Sequence, residues 1–230
     1  MAKVQAKPIK TDEHVFVCGR TGTGKSFLVE NYLATYPRVV KQDEKGDALR
    51  LMRDGKNPWP QVAPDKLAVV TSLESLHNAF SEGIRTHFIY CANFEEINPE
   101  AHNEFYKMCY RLEDITVWVD ELFAVSPNPH VIPEYLQAIY TRGRTRNVSA
   151  WGLTQRPKGI SGMPLSQATH VFGFDLRKPE DRKYMYDTTG APEFMENPGK
   201  YNFWYWTDEM DNAIKARIAL SEPKVVPERG

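Results

Sequence analysis

The chain has 230 residues and carries 29 basic against 30 acidic side chains, a formal net charge of −1. That balance excludes a globally basic nucleic-acid binder, so any such contact must come from local loops or from a surface shared by several subunits. The length fits one α/β domain near the upper end of single-domain size. Cys18, Cys91 and Cys109 each lie in or beside an apolar run and read as reduced core residues of a cytosolic protein, not as a disulfide set. No apolar run approaches the length of a membrane span, and the six histidines are too scattered for a structural zinc site.

In chain order, residues 1–12 are polar and read as a loose arm before a single domain over 13–220. His14-Val15-Phe16-Val17-Cys18 is an apolar run that reads as a buried strand. It leads into Gly19-Arg20-Thr21-Gly22-Thr23-Gly24-Lys25-Ser26, which fits the phosphate-binding loop G-x-x-x-x-G-K-[ST], and then into Phe27–Leu33, apolar at helical spacing. At average residue usage the four fixed positions arise by chance in roughly one chain of this length in a hundred. Glycines let consecutive N–H groups turn toward phosphate oxygens, and the helix N-terminus adds partial positive charge. The reading therefore gives the loop, Arg20, Thr21, Gly22, Thr23, Gly24, Lys25, Ser26 and Phe27, to nucleotide binding. Lys25 reaches the β- and γ-phosphates and the Ser26 hydroxyl binds Mg²⁺.

Beyond Pro37, Arg38–Lys41 is a short strand and Gln42–Asp47 a polar turn-rich segment; residues 54–65, with three prolines, read as an irregular surface loop. Leu67–Val70 is a strand, Ser72 caps a helix through Phe80 with Ser75 in the place of a box-forming Glu, and His87–Cys91 is a strand. Asn98-Pro99-Glu100 starts a helix to about Leu112. Ile115–Val119 is an apolar strand ending in Asp120-Glu121, followed by a helix over about 133–142, a strand over Val148–Thr154 and another over Val171–Phe174. A short helix over 179–186 precedes a possible hairpin, 200–206 with 213–218, and residues 221–230 read as a flexible tail. Alternating strands and helices imply a mostly parallel sheet covered on both faces, an α/β fold whose ligands bind beyond the carboxyl ends of the strands. Gly19, Asp120 and Gln155 each follow the end of a strand.

Asp120 at the end of a buried strand is positioned to hold Mg²⁺ through a water, and Glu121 beside it to activate the attacking water. Gln155 can donate and accept, which suits sensing of a γ-phosphate. Arg142, Arg144 and Arg146 lie within five residues, and one acts as an arginine finger on a neighbouring subunit, a contribution of order 10³–10⁵ in rate. The basic, Gly-containing loop Arg156–Gly162 and the group Arg50, Arg53 and Lys56 are candidate nucleic-acid contacts against an equal expectation of ordinary surface. The aromatic run Tyr201–Trp206 reads as core and hairpin packing.

Taken in order, Gly19–Ser26, Val117-Trp118-Val119-Asp120-Glu121-Leu122-Phe123 and Gly143-Arg144…Thr154-Gln155-Arg156-Pro157 resemble the FtsK–HerA superfamily of ATP-driven DNA translocases, and Asp43-Glu44-Lys45-Gly46 is similar to the family's Asp-x-Lys-Gly turn. A bare motor domain of this size is most like the genome-packaging ATPases of tailless, internal-membrane double-stranded DNA viruses and phages, the tectivirus-like group. The resemblance implies a RecA-like P-loop NTPase fold, ATP and Mg²⁺ as cofactors, and a hexameric or similar homo-oligomeric ring with double-stranded DNA in its pore. It also implies capsid-vertex or viral membrane proteins as partners, in the host cytoplasm or on the virion. By position, Lys25 and Ser26 bind ATP·Mg²⁺, Asp120 the metal, Glu121 activates water, Gln155 senses the γ-phosphate, and Arg144 matches the Gly-Arg turn as the trans-acting finger. The alternatives are a conjugation, plasmid or repair translocase of the same superfamily, a nucleotide-gated assembly or secretion protein that moves no DNA, and a small-molecule kinase.

Overall fold

Among the described residues, nine strands form one sheet in the order β3-β4-β2-β5-β6-β1-β7-β8-β9. The computed structural model describes residues 9–218, so the expected tail over 221–230 and the first eight residues of the expected arm lie outside the described residues. The strands are β1 (Val15–Cys18), β2 (Val39–Gln42), β3 (Leu67–Val70), β4 (His87–Tyr90), β5 (Ile115–Val119), β6 (Val148–Thr154), β7 (His170–Gly173), β8 (Asn202–Thr207) and β9 (Ile214–Arg217). The helices are α1 (Lys25–Leu33), α2 (Asp47–Arg53), α3 (Leu73–Glu82), α4 (Pro99–Leu112), α5 (Leu122–Val125), α6 (Glu134–Arg142), α7 (Met163–Ser166) and α8 (Pro179–Thr189). The strands from β3 to β7 pair in parallel, and β8 and β9 add an antiparallel hairpin at one edge.

Alternation along the strands divides the core in two. Phe16, Val40, Val117 and Ala150 face a cluster closed by α3, α4 and α6, with Leu76, Phe80, Phe105, Leu136 and Ile139. Val15, Val17, Trp118 and Trp151 face the other, closed by Val29 and Leu33 of α1 and Ala48 of α2. Helices thus cover both faces, and β6 is buried along its whole length, as a strand sandwiched between two layers must be.

Local sequence sets most of the boundaries. Ser72 accepts from the Ser75 N–H at 3.1 Å and its own N–H donates to Ser75 Oγ at 3.2 Å, so the serine at the third position completes the capping box that a Glu ordinarily supplies. Asn98 accepts from the Ala101 N–H at 2.8 Å with Pro99 in the first turn of α4.

Three expectations are corrected and one element is added. Ile9 is buried and Tyr36 donates to its carbonyl at 2.9 Å, so the arm is packed from residue 9 onward. The proline-rich loop is irregular but not merely surface: Trp59 is fully buried, donates to the Glu30 carbonyl at 3.1 Å and meets Trp118 edge-on at 5.4 Å, plugging the second core. Asp47–Arg53, for which the sequence reading gave no helix, form α2. The last helix runs on to Thr189, where Gly190 at φ 76° ends it. In β8 both faces pack: Phe203 and Tyr205 meet Phe172 at 5.5 and 5.0 Å, while Trp204 and Trp206 lie against the first cluster.

Candidate nucleotide site

The loop between β1 and α1 leaves the sheet at its carboxyl edge. Gly19 (φ 145°) passes so close to Phe174 that a Cβ there would sit 2.5 Å from the Phe174 Cβ, and Gly24 (φ 104°) packs against the Ile218 side chain. Both positions have a positive φ that favours glycine, and Gly19 needs it for space as well. The loop is braced: Gly19 N–H donates to the Thr154 carbonyl at 3.1 Å, Arg20 N–H to the Asp175 carbonyl at 2.9 Å, and the Arg20 guanidinium pairs with Asp175. Thr23 Oγ1 donates to the Arg20 carbonyl at 2.8 Å. The Lys25 ammonium donates to the carbonyls of Gly19 and Arg20. Burial lowers its pKa, opposed chiefly by the nearby Glu121 carboxylate. Ser26 and Phe27 open α1 and are exposed.

β5 is adjacent to β2 and β6, and its end brings two carboxylates to the same edge. Asp120 is buried, and its Oδ1 accepts no hydrogen bond among the described residues. Glu121 meets Gln155, which follows β6: Gln155 Nε2 donates to Glu121 Oε2 at 3.1 Å, and Thr21 Oγ1 donates to Gln155 Oε1 at 2.9 Å. A continuous relay therefore runs from the phosphate loop through the amide to the carboxylate. Gln155 can hold this arrangement because one face of its amide accepts and the other donates. Glu121, Gln155, Phe123, Arg156 and Lys45 line an open cleft of about 500 Å³.

The residues suit a magnesium nucleotide. Gly22 (φ 78°) has open space above its Cα, the Lys25 ammonium is desolvated, and Asp120 presents a buried carboxylate oxygen with no partner. A hard divalent cation takes such oxygen donors. Lys45 is the site residue that sequence reasoning assigned no role. The signal was present in the Asp43–Gly46 turn, but only the β2–β5 pairing brings it to Asp120, Nζ lying 3.6 Å from Asp120 Oδ2.

The three arginines separate. Arg146 is tied down: Nε donates to the Tyr110 carbonyl at 3.1 Å, the guanidinium pairs with Glu113 at 2.6 Å and lies over the Tyr110 ring. Arg144 is exposed and donates to Thr169 Oγ1. Arg142 is exposed and its guanidinium makes no hydrogen bond or ion pair among the described residues. All three precede β6, whereas the phosphate loop follows β1. The two strands are parallel neighbours, so the arginines and the loop sit at opposite sheet edges, about 20 Å apart along the strand direction. Gly143 allows this turn: a Cβ there would lie 2.2 Å from the Val148 carbonyl oxygen. Of the candidate nucleic-acid contacts, Arg156 is engaged with Asp181 at 3.0 Å and Arg50 with Asp47 at 2.9 Å, while Arg53, Lys56 and Lys158 are exposed. Cys18, Cys91 and Cys109 are free and buried. Among the described residues no helix is long and apolar enough to cross a membrane.

No protein-family model and no curated protein matches the chain. Among solved structures it is similar to the genome packaging NTPase B204 from Sulfolobus turreted icosahedral virus 2 in complex with sulfate, with TM-score 0.72 and 14% identity over 92% of this chain and 98% of that one. It is similar to B204, the DNA-packaging ATPase from Sulfolobus turreted icosahedral virus, with TM-score 0.68 and 16% identity over 91% and 98%. It also matches the pCW3 conjugation coupling protein TcpA with ATPγS, with TM-score 0.56 and 13% identity over 90% of this chain and 60% of that one. At these identities the likeness speaks for the fold. The chain has the P-loop NTPase fold seen in these packaging NTPases and in TcpA.

Proposed function

We propose that this chain is an ATPase that drives double-stranded DNA through a homo-oligomeric ring, packaging a viral genome into a preformed capsid in the host cytoplasm. The observation that carries the reading is the convergence of Lys25, Asp120, Glu121 and Gln155 at one sheet edge, joined by the relay from Thr21. Structures of the similar B204 hold AMPPCP and ATP-γS, which supports a nucleoside triphosphate as ligand.

In this reading the loop N–H groups and Lys25 hold the β- and γ-phosphates, and Ser26 and Asp120 hold Mg²⁺. Mg²⁺ held there would supply neutralisation of the phosphate charge. Glu121 accepts the proton of the attacking water, and Gln155 keeps that carboxylate aimed while registering the terminal phosphate through Thr21. Arg144, or its free neighbour Arg142, reaches the nucleotide of an adjacent subunit, since neither can approach its own phosphate loop from the opposite sheet edge. A trans-acting guanidinium makes turnover depend on assembly. Near-neutral charge leaves DNA contact to local loops, with Lys158 and the Arg53–Lys56 segment exposed for it.

The test is Glu121→Gln, which keeps shape and hydrogen bonding but removes the base. ATP turnover falls by about 100-fold or more, while binding of a fluorescent ATP analogue stays within about threefold of wild type. Undiminished turnover contradicts the reading.

A further inference from the structure

The turn that follows β2 is built so that one side chain is left over. Asp43 is buried, its Oδ2 accepting the Ala48 N–H at 2.8 Å and the Cys91 thiol at 3.4 Å. The Glu44 carboxylate turns inward, 3.2 Å from His102 Nε2, and accepts from the Gln42 amide at 2.5 Å. Gly46 at φ 67° closes the turn into α2. With both neighbours anchored to the protein, Lys45 projects into the nucleotide cleft, where it stands among Glu121, Gln155 and Arg156. Its side chain is 48% exposed and that of Asp120 only 7%. Two ammonium groups, Lys25 and Lys45, thus meet two carboxylates, Asp120 and Glu121, at the carboxyl edge, and each of the other three acts on the charge of Lys25.

The Lys45–Asp120 contact is loose. At 3.6 Å it lies beyond hydrogen-bond range, and it involves one oxygen of a carboxylate whose other oxygen has no partner. A half-exposed lysine on a four-carbon stem moves at little cost, and its ammonium donates in three directions. Lys45 also lies near enough to Lys25 to act on its charge, so both ammonium groups serve one region of the carboxyl edge.

We propose that Lys45 is a further catalytic residue: it neutralises Asp120 between turnovers and swings onto the terminal phosphate when Asp120 turns to a divalent cation. It then shares with Lys25 the negative charge that grows on the phosphoryl oxygens. The inference rests on the reading of this site as an ATPase. A lysine that merely balanced Asp120 in the fold would leave phosphate recognition untouched when removed.

The experiment measures the affinity of mant-ADP·Mg²⁺ for the full chain with and without aluminium fluoride, a mimic of the phosphoryl group in transit, in wild type, Lys45→Met and Lys45→Gln. The two replacements guard against one of them failing to fold, which thermal melting checks. Wild type binds more tightly with aluminium fluoride. Both variants bind mant-ADP within about threefold of wild type but lose at least about tenfold of the aluminium fluoride gain, and their kcat falls by about 100-fold. Variants that keep the gain and the kcat of wild type overturn the proposal for Lys45 and leave the ATPase reading standing. A wild type that neither hydrolyses ATP nor responds to aluminium fluoride overturns the ATPase reading itself.

Discussion

At His14 the Ala150 N–H donates to Nδ1 at 3.0 Å, so the neutral ring carries its proton on Nε2, a buried atom with no hydrogen bond of good geometry among the described residues. Burial, assisted by the Arg144 guanidinium, lowers the pKa of this ring to about 4. The unfolded value is about 6.5. A folded pKa below the unfolded one gives stability that is complete above pH 6.5 and is lost as pH falls toward 4. By linkage that amounts to about 2–3 kcal/mol between pH 7 and 4.5. Denaturant unfolding across that range is expected to show a shallower pH dependence in His14→Gln than in wild type by roughly this amount. Parallel curves contradict it. The same scale holds the Thr21–Gln155–Glu121 relay. Thr21→Val removes the hydrogen bond to Gln155 with little change of shape, and is expected to lower kcat by about tenfold while ATP binding stays within about threefold. A variant whose defect lies in KM alone sinks the positioning role of Thr21.

At the scale of elements, the turn between α6 and β6 shows how one residue type fixes a functional segment. Gly143→Ala forces a Cβ against the Val148 carbonyl, which is backbone and cannot give way cheaply. The expected cost is about 1–3 kcal/mol in equilibrium unfolding, whereas an Ala at an open position such as Gly46 costs only its left-handed backbone strain, about 1–2 kcal/mol. The elements legible in the sequence were those with both a periodic apolar face and chemical end signals. α4 has Asn98-Pro99 at its start and Phe105, Tyr106 and Cys109 inward, and β5 is apolar at four of its five positions. α2 escaped because only Ala48 of its seven residues is buried, leaving no periodicity to detect. Trp59 escaped because three prolines nearby argue for an exposed loop, while burial of an indole depends on a cavity formed by distant strands. The end of α8 was within reach, since Gly190 is a readable stop.

For the whole molecule, the phosphate-loop motif and the rule that ligands gather beyond the carboxyl ends of parallel strands placed Gly19, Asp120 and Gln155 together, and they lie together. The rule could not reach Lys45, whose approach to Asp120 depends on strand order, nor sort the three arginines, whose separation depends on Tyr110 and Glu113 holding Arg146. The fold leaves Arg142 and Arg144 at the sheet edge opposite the phosphate loop, an arrangement suited to head-to-tail rings in which one subunit completes the next. The most direct measurement is ATPase rate against protein concentration, with and without double-stranded DNA at low salt, for wild type and for Arg142→Ala and Arg144→Ala. The account predicts a rate per subunit that rises steeply with concentration, stimulation by DNA, and loss of about 10³-fold in at least one arginine variant. A rate that is flat with concentration, indifferent to DNA and preserved in both variants contradicts it.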